Sequence, residues 1–229
     1  MAMASMSSLA ATAVKSSVAS SVSGMRERRA DQMSQVDWED YNYPPWINVL
    51  HYSLKDVEDP GAKTAVKWAH YNYIMGVTTF ALNVLSMLVL AAGGVKWKGV
   101  HLIYAIFNLI IYGIVGMYSF YNGFKGLATQ NGRMTTNFVG LQSLFLVFMF
   151  AASIASGANY NGWTNLAIAA DVEKSKKMRG FWVGWTYFEA SLWTLDYIVG
   201  GFALYKVVTS RNDGRSSKAG GPLLRNIGI

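Results

Sequence analysis

Cysteine is absent from all 229 residues, which excludes disulfides, thiolate-ligated haem and every Cys-based zinc site. Charge is scarce as well. Asp, Glu, Lys and Arg together make up 14% of the chain, against about 25% in soluble domains, and after Trp68 no acidic residue occurs before Asp171. No Walker loop, dinucleotide fingerprint, nucleophile elbow or zincin helix can be found. The three histidines, His51, His70 and His101, share no i,i+4 spacing with one another or with a carboxylate cluster, so each reads as an interface or structural residue. Taken together, these absences predict no catalytic residue, no metal and no cofactor, and the chain reads as a non-enzyme. The net charge of +7 comes without a basic patch interleaved with aromatics, so it suits anionic lipid headgroups better than nucleic acid.

What the sequence has in abundance is apolar residues, 52% of the chain. Four blocks, about 69–92, 100–121, 138–156 and 181–208, reach the length of about 20 residues that a helix needs to cross a bilayer. Runs this long favour helices over the alternating ten-residue segments of a membrane barrel. A soluble reading would need four helices apolar all round in a small chain, which amphipathic helices are not. The predicted fold is all-α: a polytopic membrane protein with a four-transmembrane-helix bundle at 69–208. A disordered N-terminal tail covers 1–40, an interfacial Pro-Pro/aromatic segment 41–68, and a basic C-terminal tail 209–229. The link 93–99 is short, whereas 122–137 and 157–180 read as longer polar loops on opposite sides of the membrane, so both termini share a side. Lys and Arg near the spans divide almost evenly between the two sides and lean only slightly towards cytosolic termini.

The first 24 residues are rich in Ala and Ser, with Lys15 as their single charged side chain, and lack the apolar core of a secretory signal. Two readings stand: a disordered tail that buries too little surface to offset its ordering entropy, or a transit segment, given Arg26, Arg28 and Arg29. Further on, Pro44 and Pro45 lack backbone donors and bias Tyr43 away from helix. Tyr41, Tyr43 and Trp46 are therefore presented on an extended segment, where amphipathic rings settle at headgroup level. The stretch "YNGF" (121–124) fits an adaptor-binding pattern, although Tyr121 and Phe124 at the mouth of a span also suit interface anchors. "PLL" (222–224) lacks the acid usually ahead of a dileucine signal.

Among the polar side chains inside the apolar blocks, four fall near mid-depth: Asn83, Asn108, Glu189 and Asp196. Glu189 and Asp196 are seven residues apart and share a helix face with Gly200. Counting from each block's midpoint puts the four in one polar layer. With no Lys or Arg expected at that depth, each acid must be neutralised or held by Asn, Tyr and Ser donors. Such a layer can be an interhelical hydrogen-bond network that fixes the bundle, or part of a proton or cation path. The network reading expects Glu189→Gln and Asp196→Asn to be harmless, because amides still hydrogen-bond.

Across roughly 42–208 the chain resembles the secretory carrier membrane protein family. The likeness lies in "NYPPWINVLHYSLKDV" before the first block, "MYSFYNGFK" (117–125) between the second and third, "GWTNLAIAADV" before the fourth, and the closing "LWTLDYIVGGFALYKVV" with its internal acid. The resemblance implies a four-span protein of post-Golgi carriers, endosomes and plasma membrane, with cytosolic termini and no catalytic activity, acting in vesicle recycling and fusion. Two departures narrow it. The Asn-Pro-Phe repeats and coiled-coil region of longer members are missing, which removes adaptor recruitment by that route. Where the family has cysteine, arginine and proline, this chain has Met117, Ser119 and Phe120, so Tyr118, Phe120, Tyr121, Phe124 and Lys125 are expected to enter the membrane interface by apolar area rather than by charge. The expected partners are the lipid bilayer and trafficking or complex-partner membrane proteins, oligomerisation being compatible. The alternative is an accessory subunit or small transporter inside a larger complex of a mitochondrial or plastid membrane.

Overall fold

The computed structural model describes residues 36–155, 159–171 and 178–219, with a few positions between 17 and 24, and side chains as far as Asn212. The Ala/Ser-rich start, "PLL" and Lys174, Lys176 and Lys177 lie outside the described residues. The chain divides into two units, one made of residues 57–212 and the other of 1–56 with 213–229.

In the smaller unit, the Pro-Pro segment folds into a tight loop. Tyr43 and Leu50 exchange backbone hydrogen bonds, both at 3.0 Å, and the N–H groups of Ile47 and Asn48 donate to the Pro44 carbonyl. The Tyr43–Pro44 bond is cis. His51 fastens the base of the loop, with Nδ1 3.0 Å from the Asp40 carbonyl and Nε2 2.6 Å from Asp56 Oδ2, and the Tyr43 ring meets Tyr52 edge-on. The loop tip carries Trp46 at 95% exposure beside exposed Ile47. A single turn of 3-10 helix, Leu54–Asp56, follows.

The larger unit is helical. Helix α1 (Pro60–Ala92) starts where Asp59 accepts from the Ala62 N–H at 2.6 Å and Pro60 occupies a position with no backbone donor to lose. A turn with Gly94 and Trp97 at positive φ leads to α2 (Lys98–Ala128). Asn131 caps α3 (Gly132–Ile154), its side chain accepting from the N–H groups of Arg133 and Met134. A 3-10 turn, Trp163–Asn165, and the short α4 (Leu166–Ala170) precede α5 (Arg179–Ala219).

Three helices, α1, α2 and α3, are long and apolar enough to cross a membrane. The fourth apolar block, 181–208, lies within one continuous helix, but α5 is not among them. Its acids, glycines and many Trp and Tyr side chains dilute its hydropathy. The expected polar loop at 122–137 is also corrected. Helix α2 runs to Ala128 and α3 begins at Gly132, leaving only 129–131 between them. The reason is a close crossing: a Cβ on Gly126 would stand 2.8 Å from the Thr135 amide nitrogen, and one on Gly123 2.8 Å from the Phe138 ring. Glycine lets the helices touch where a polar loop was expected.

The first and last long helices pair antiparallel. Contacts join Gly61 to Ser210, Trp68 to Phe202, Asn72 to Gly200, Phe80 to Trp193, Asn83 to Glu189 and Gly93 to Met178, so the numbering climbs α1 as it descends α5 without a slip. Helix α2 packs beside α1 through Tyr73, Phe80, Tyr112 and Phe120, and the Tyr112 ring reaches Phe145 of α3. On the opposite face of α2, Ile103, Phe107, Ile110 and Ile114 are each more than half exposed. That stripe recurs every three or four residues and is the kind of surface that lipid, not water, satisfies.

The α1–α2 contact depends on a missing side chain. A Cβ on Gly76 would sit against the Tyr112 hydroxyl and within 2.7 Å of its ring, whereas one on Gly113 would meet nothing within 4 Å. Gly76→Leu is expected to destabilise the chain by about 1–3 kcal/mol, the usual cost of overpacking, and Gly113→Leu to change little. Thermal melts of the two variants in the same detergent check the difference.

Candidate functional site

One face of α5 presents Trp182, Thr186, Glu189, Trp193, Asp196 and Gly200 at spacings of three and four residues, and all six are buried. The facing stripe of α1 is Asn72, Gly76, Thr79, Asn83, Ser86 and Leu90, also buried. Two polar stripes thus meet along the axis of an apolar bundle.

Glu189 is 0% exposed, and both its oxygens are saturated with donors. Oε1 accepts from Asn83 Nδ2 at 2.7 Å, the Asn161 backbone N–H at 3.1 Å and Trp193 Nε1 at 3.2 Å. Oε2 accepts from Asn161 Nδ2 at 2.7 Å, Ser86 Oγ at 3.0 Å and Trp185 Nε1 at 3.1 Å. Trp185 and Trp193 stand one helical turn before and after the acid, so α5 itself supplies an indole N–H to each oxygen.

Asn83 and Ser86 come from α1, and the two Asn161 donors come from the chain between α3 and α5, which corrects the reading of 157–180 as a simple polar loop. Among its described residues, Asn159, Asn161, Gly162 and Asn165 are buried in the bundle, while Trp163 and Thr164 stay exposed. Asn161 is fully buried; its Oδ1 accepts from Trp182 Nε1 at 3.0 Å and Asn165 Nδ2 at 2.9 Å. The Asn159 carbonyl accepts from Asn83 Nδ2 at 2.7 Å, and Tyr160 lays its ring against Trp193 and Phe148. Gly162 makes the inward course possible, since a Cβ there would come within 2.5 Å of the Ala152 and Ala155 carbonyls.

A cation also lies near. Lys98, at the start of α2, is 3% exposed; its ammonium sits 4.7 Å from the centre of the Trp182 ring and within Coulombic reach of Glu189. The electrostatic surroundings of Glu189 therefore include a lysine that the sequence reading did not place near the acids. The lysine reads as part of a short link in sequence, but it is the first residue of a helix that turns it inward.

The other sequence-derived residues fall as follows. Asn83 and Glu189 are hydrogen-bonded to each other. Asn108 donates to Tyr160 Oη at 2.9 Å and reaches the acids only through that ring. Asp196 is 0% exposed, and neither of its oxygens has a hydrogen-bond partner. In the 117–125 segment, Phe120 and Phe124 are at most 1% exposed, which corrects the expectation that they insert into the interface. Phe120 packs against α1, where it meets His70 and Tyr73, and Phe124 stacks on Phe120. Tyr118 remains 53% exposed, and Lys125 donates to the Tyr121 hydroxyl at 3.1 Å. Ser86, Lys98, Asn161, Asn165, Trp185 and Trp193 were not picked out by sequence reasoning. The cluster "NYNGWTN" (159–165) is the one signal that could have found the loop, because three asparagines beside a glycine are unusual in a link between apolar helices.

With hydrogen-bonding groups crowded around both oxygens and no exposure, Glu189 is walled off from any substrate. It holds surrounding groups in place. No group of three or more His, Asp or Glu side chains able to hold a metal occurs among the described residues.

A model of the SCAMP family matches residues 40–213. The chain belongs to the SCAMP family. No curated protein and no solved structure matches it. The match takes in the Pro-Pro loop, all the long apolar helices and every residue around Glu189. This SCAMP-family chain is an integral, multi-pass membrane protein with helices in contact with lipid, and its family is one of membrane trafficking proteins not known as enzymes.

The donor count corrects the expectation that an amide could replace Glu189. Whichever oxygen becomes NH2 in Glu189→Gln, the new donors face at least two N–H groups that have nothing else to accept them. The variant should lose about 1–3 kcal/mol for each donor left without an acceptor. Asn108→Leu, which removes one partly buried hydrogen bond, should lose about 1 kcal/mol. Unfolding of purified protein in nanodiscs, followed by tryptophan fluorescence, measures both.

Proposed function

We propose that this SCAMP-family chain is a non-enzymatic four-span protein of vesicle trafficking, present in trans-Golgi, endosomal and plasma membranes, where it takes part in post-Golgi transport, endocytic recycling and membrane fusion. The observation that carries the reading is the α1–α5 pairing. Helix α1 is apolar and long enough to cross a bilayer, and α5 accompanies it from Gly93 back to Gly61. A helix that follows a span along its whole length is itself a span. The acids that dilute α5's hydropathy face α1, while Phe188, Leu195, Ile198, Phe202 and Tyr205 form its exposed side. Four crossings put both termini on one side, the cytosolic one by family resemblance, with 129–131 on that side and 93–97 on the lumenal side, from which Asn159 and Asn161 enter the bundle.

Within this reading the bundle is a stable membrane anchor and the surface elements meet lipid and partner proteins. Trp46 and Ile47 at the loop tip have the amphipathic and apolar character that suits the headgroup layer. Tyr118 and Tyr121 do the same at the end of α2. Glu189, enclosed and fully donor-bound, supports a structural rather than a chemical role.

The lack of cysteine makes topology straightforward to test. Gln130→Cys should react with a membrane-impermeant maleimide from the cytosolic side of sealed vesicles, and Lys96→Cys only after permeabilisation. If both label from one side, the four-span arrangement is wrong. For the site of action, a fluorescent fusion of the full chain should give punctate endomembrane and plasma-membrane signal, and a mitochondrial or plastid pattern would favour the organellar subunit instead.

A further inference from the structure

We propose that the polar pocket around Asp196 binds one monovalent cation of about sodium size, largely stripped of its water, between α1 and α5. The inference starts from a contrast within one helix. Two turns apart on α5, Glu189 has six donors and a nearby lysine, whereas Asp196, equally buried, has none. Thr79 of α1 lies beside the Asp196 carboxyl without a well-formed hydrogen bond to it, and Tyr112 of α2 is within Coulombic reach. One turn further along, a Cβ on Gly200 would stand 2.8 Å from Asn72 Oδ1 and 2.9 Å from Gln142 Nε2. Both of those atoms are buried and unpartnered. The absent side chain at 200 lets both amides approach the α5 backbone closely, one turn from the acid.

The chemistry of these atoms identifies the ligand. Asp196 Oδ1 and Oδ2, Thr79 Oγ1 and Asn72 Oδ1 are oxygens able to accept or coordinate, and the one unpaired group in the pocket that can only donate is the Gln142 amide nitrogen. No Lys, Arg or His occurs on α1 between Asn72 and Asn83, on α3 between Phe138 and Met149, or on α5 between Glu189 and Ala203, so no side-chain cation neutralises the acid. A hard cation satisfies several such oxygens at once and offsets the buried charge, which otherwise costs several kcal/mol. A single carboxylate matches a monovalent ion; calcium sites draw on more ligands and more negative charge.

The test uses the full chain in nanodiscs of zwitterionic lipid, with unfolding read from its eight tryptophans. Sodium chloride is titrated against choline chloride at constant ionic strength and fixed, near-neutral pH. The expected result is a melting temperature that rises with sodium and saturates. Thr79→Val should raise the sodium midpoint roughly tenfold through loss of a ligand or supporting oxygen. Asp196→Asn should abolish the response and be no less stable in choline than the unmodified chain, because the amide carries no charge to neutralise. Equal melting of the unmodified chain in sodium and choline would overturn the proposal. So would an undiminished sodium response in Asp196→Asn. Stabilisation by acid alone, with sodium inert, would also overturn it and assign a proton to the pocket.

Discussion

A carboxylate withdrawn from water must recover, from the protein, the hydration it has lost. At Glu189 the recovery is complete, and the price of that completeness is that five other residues have to be in fixed places. Asn83 and Ser86 must come from α1, Asn161 from the chain after α3, and Trp185 and Trp193 from the turns on either side of the acid. Apolar helices in lipid have little hydrophobic reason to prefer one rotation or one axial position over another. Six directional bonds to a single residue supply that preference, and the unslipped pairing of α1 with α5 runs outward from them in both directions.

Packing elsewhere follows from the same register. With α1 and α5 fixed, Gly76 faces Tyr112 and Gly200 faces Asn72 and Gln142, and aromatic rings fill the spaces between α1, α2 and α3. The glycines matter because they stand opposite the largest or most polar side chains, where even one carbon would force the helices apart. The outward stripe of α2 carries the Ile and Phe side chains suited to lipid. Membrane helices are apolar outside for solubility in the bilayer, and here they are selectively polar inside for specificity.

The helical architecture could be read from the sequence because length and apolarity report a span directly, and Asn83 and Glu189 stood out as polar residues in apolar surroundings. Helix ends were less legible. The polar composition of 122–137 suggests a loop, but Gly123 and Gly126 allow two helices to meet there, and close approach is invisible without the partner. The site was legible only on its spanning elements. Asn161 lies in a polar link where asparagine is unremarkable, and Trp185 and Trp193 pass as membrane-interface aromatics until their indole N–H groups are seen to point at Glu189. Lys98 was assigned to a turn, since nothing local shows that the next helix starts with it facing inward. Phe120 and Phe124 were misplaced for a related reason: an aromatic-rich segment looks the same whether its rings meet lipid or another helix.

The partnership of the first and last long helices has a consequence for biosynthesis. Asn83 and Ser86 enter the membrane early, but the acceptor that satisfies them is not made until more than a hundred residues later. Until α5 is made, those polar groups lack the carboxylate that they meet in the folded chain, and the nascent chain carries an unfinished core of three long helices. The final helix therefore acts as the closing step of assembly, and a chain stalled or cut before Glu189 would present quality control with an open polar seam rather than a smaller stable bundle.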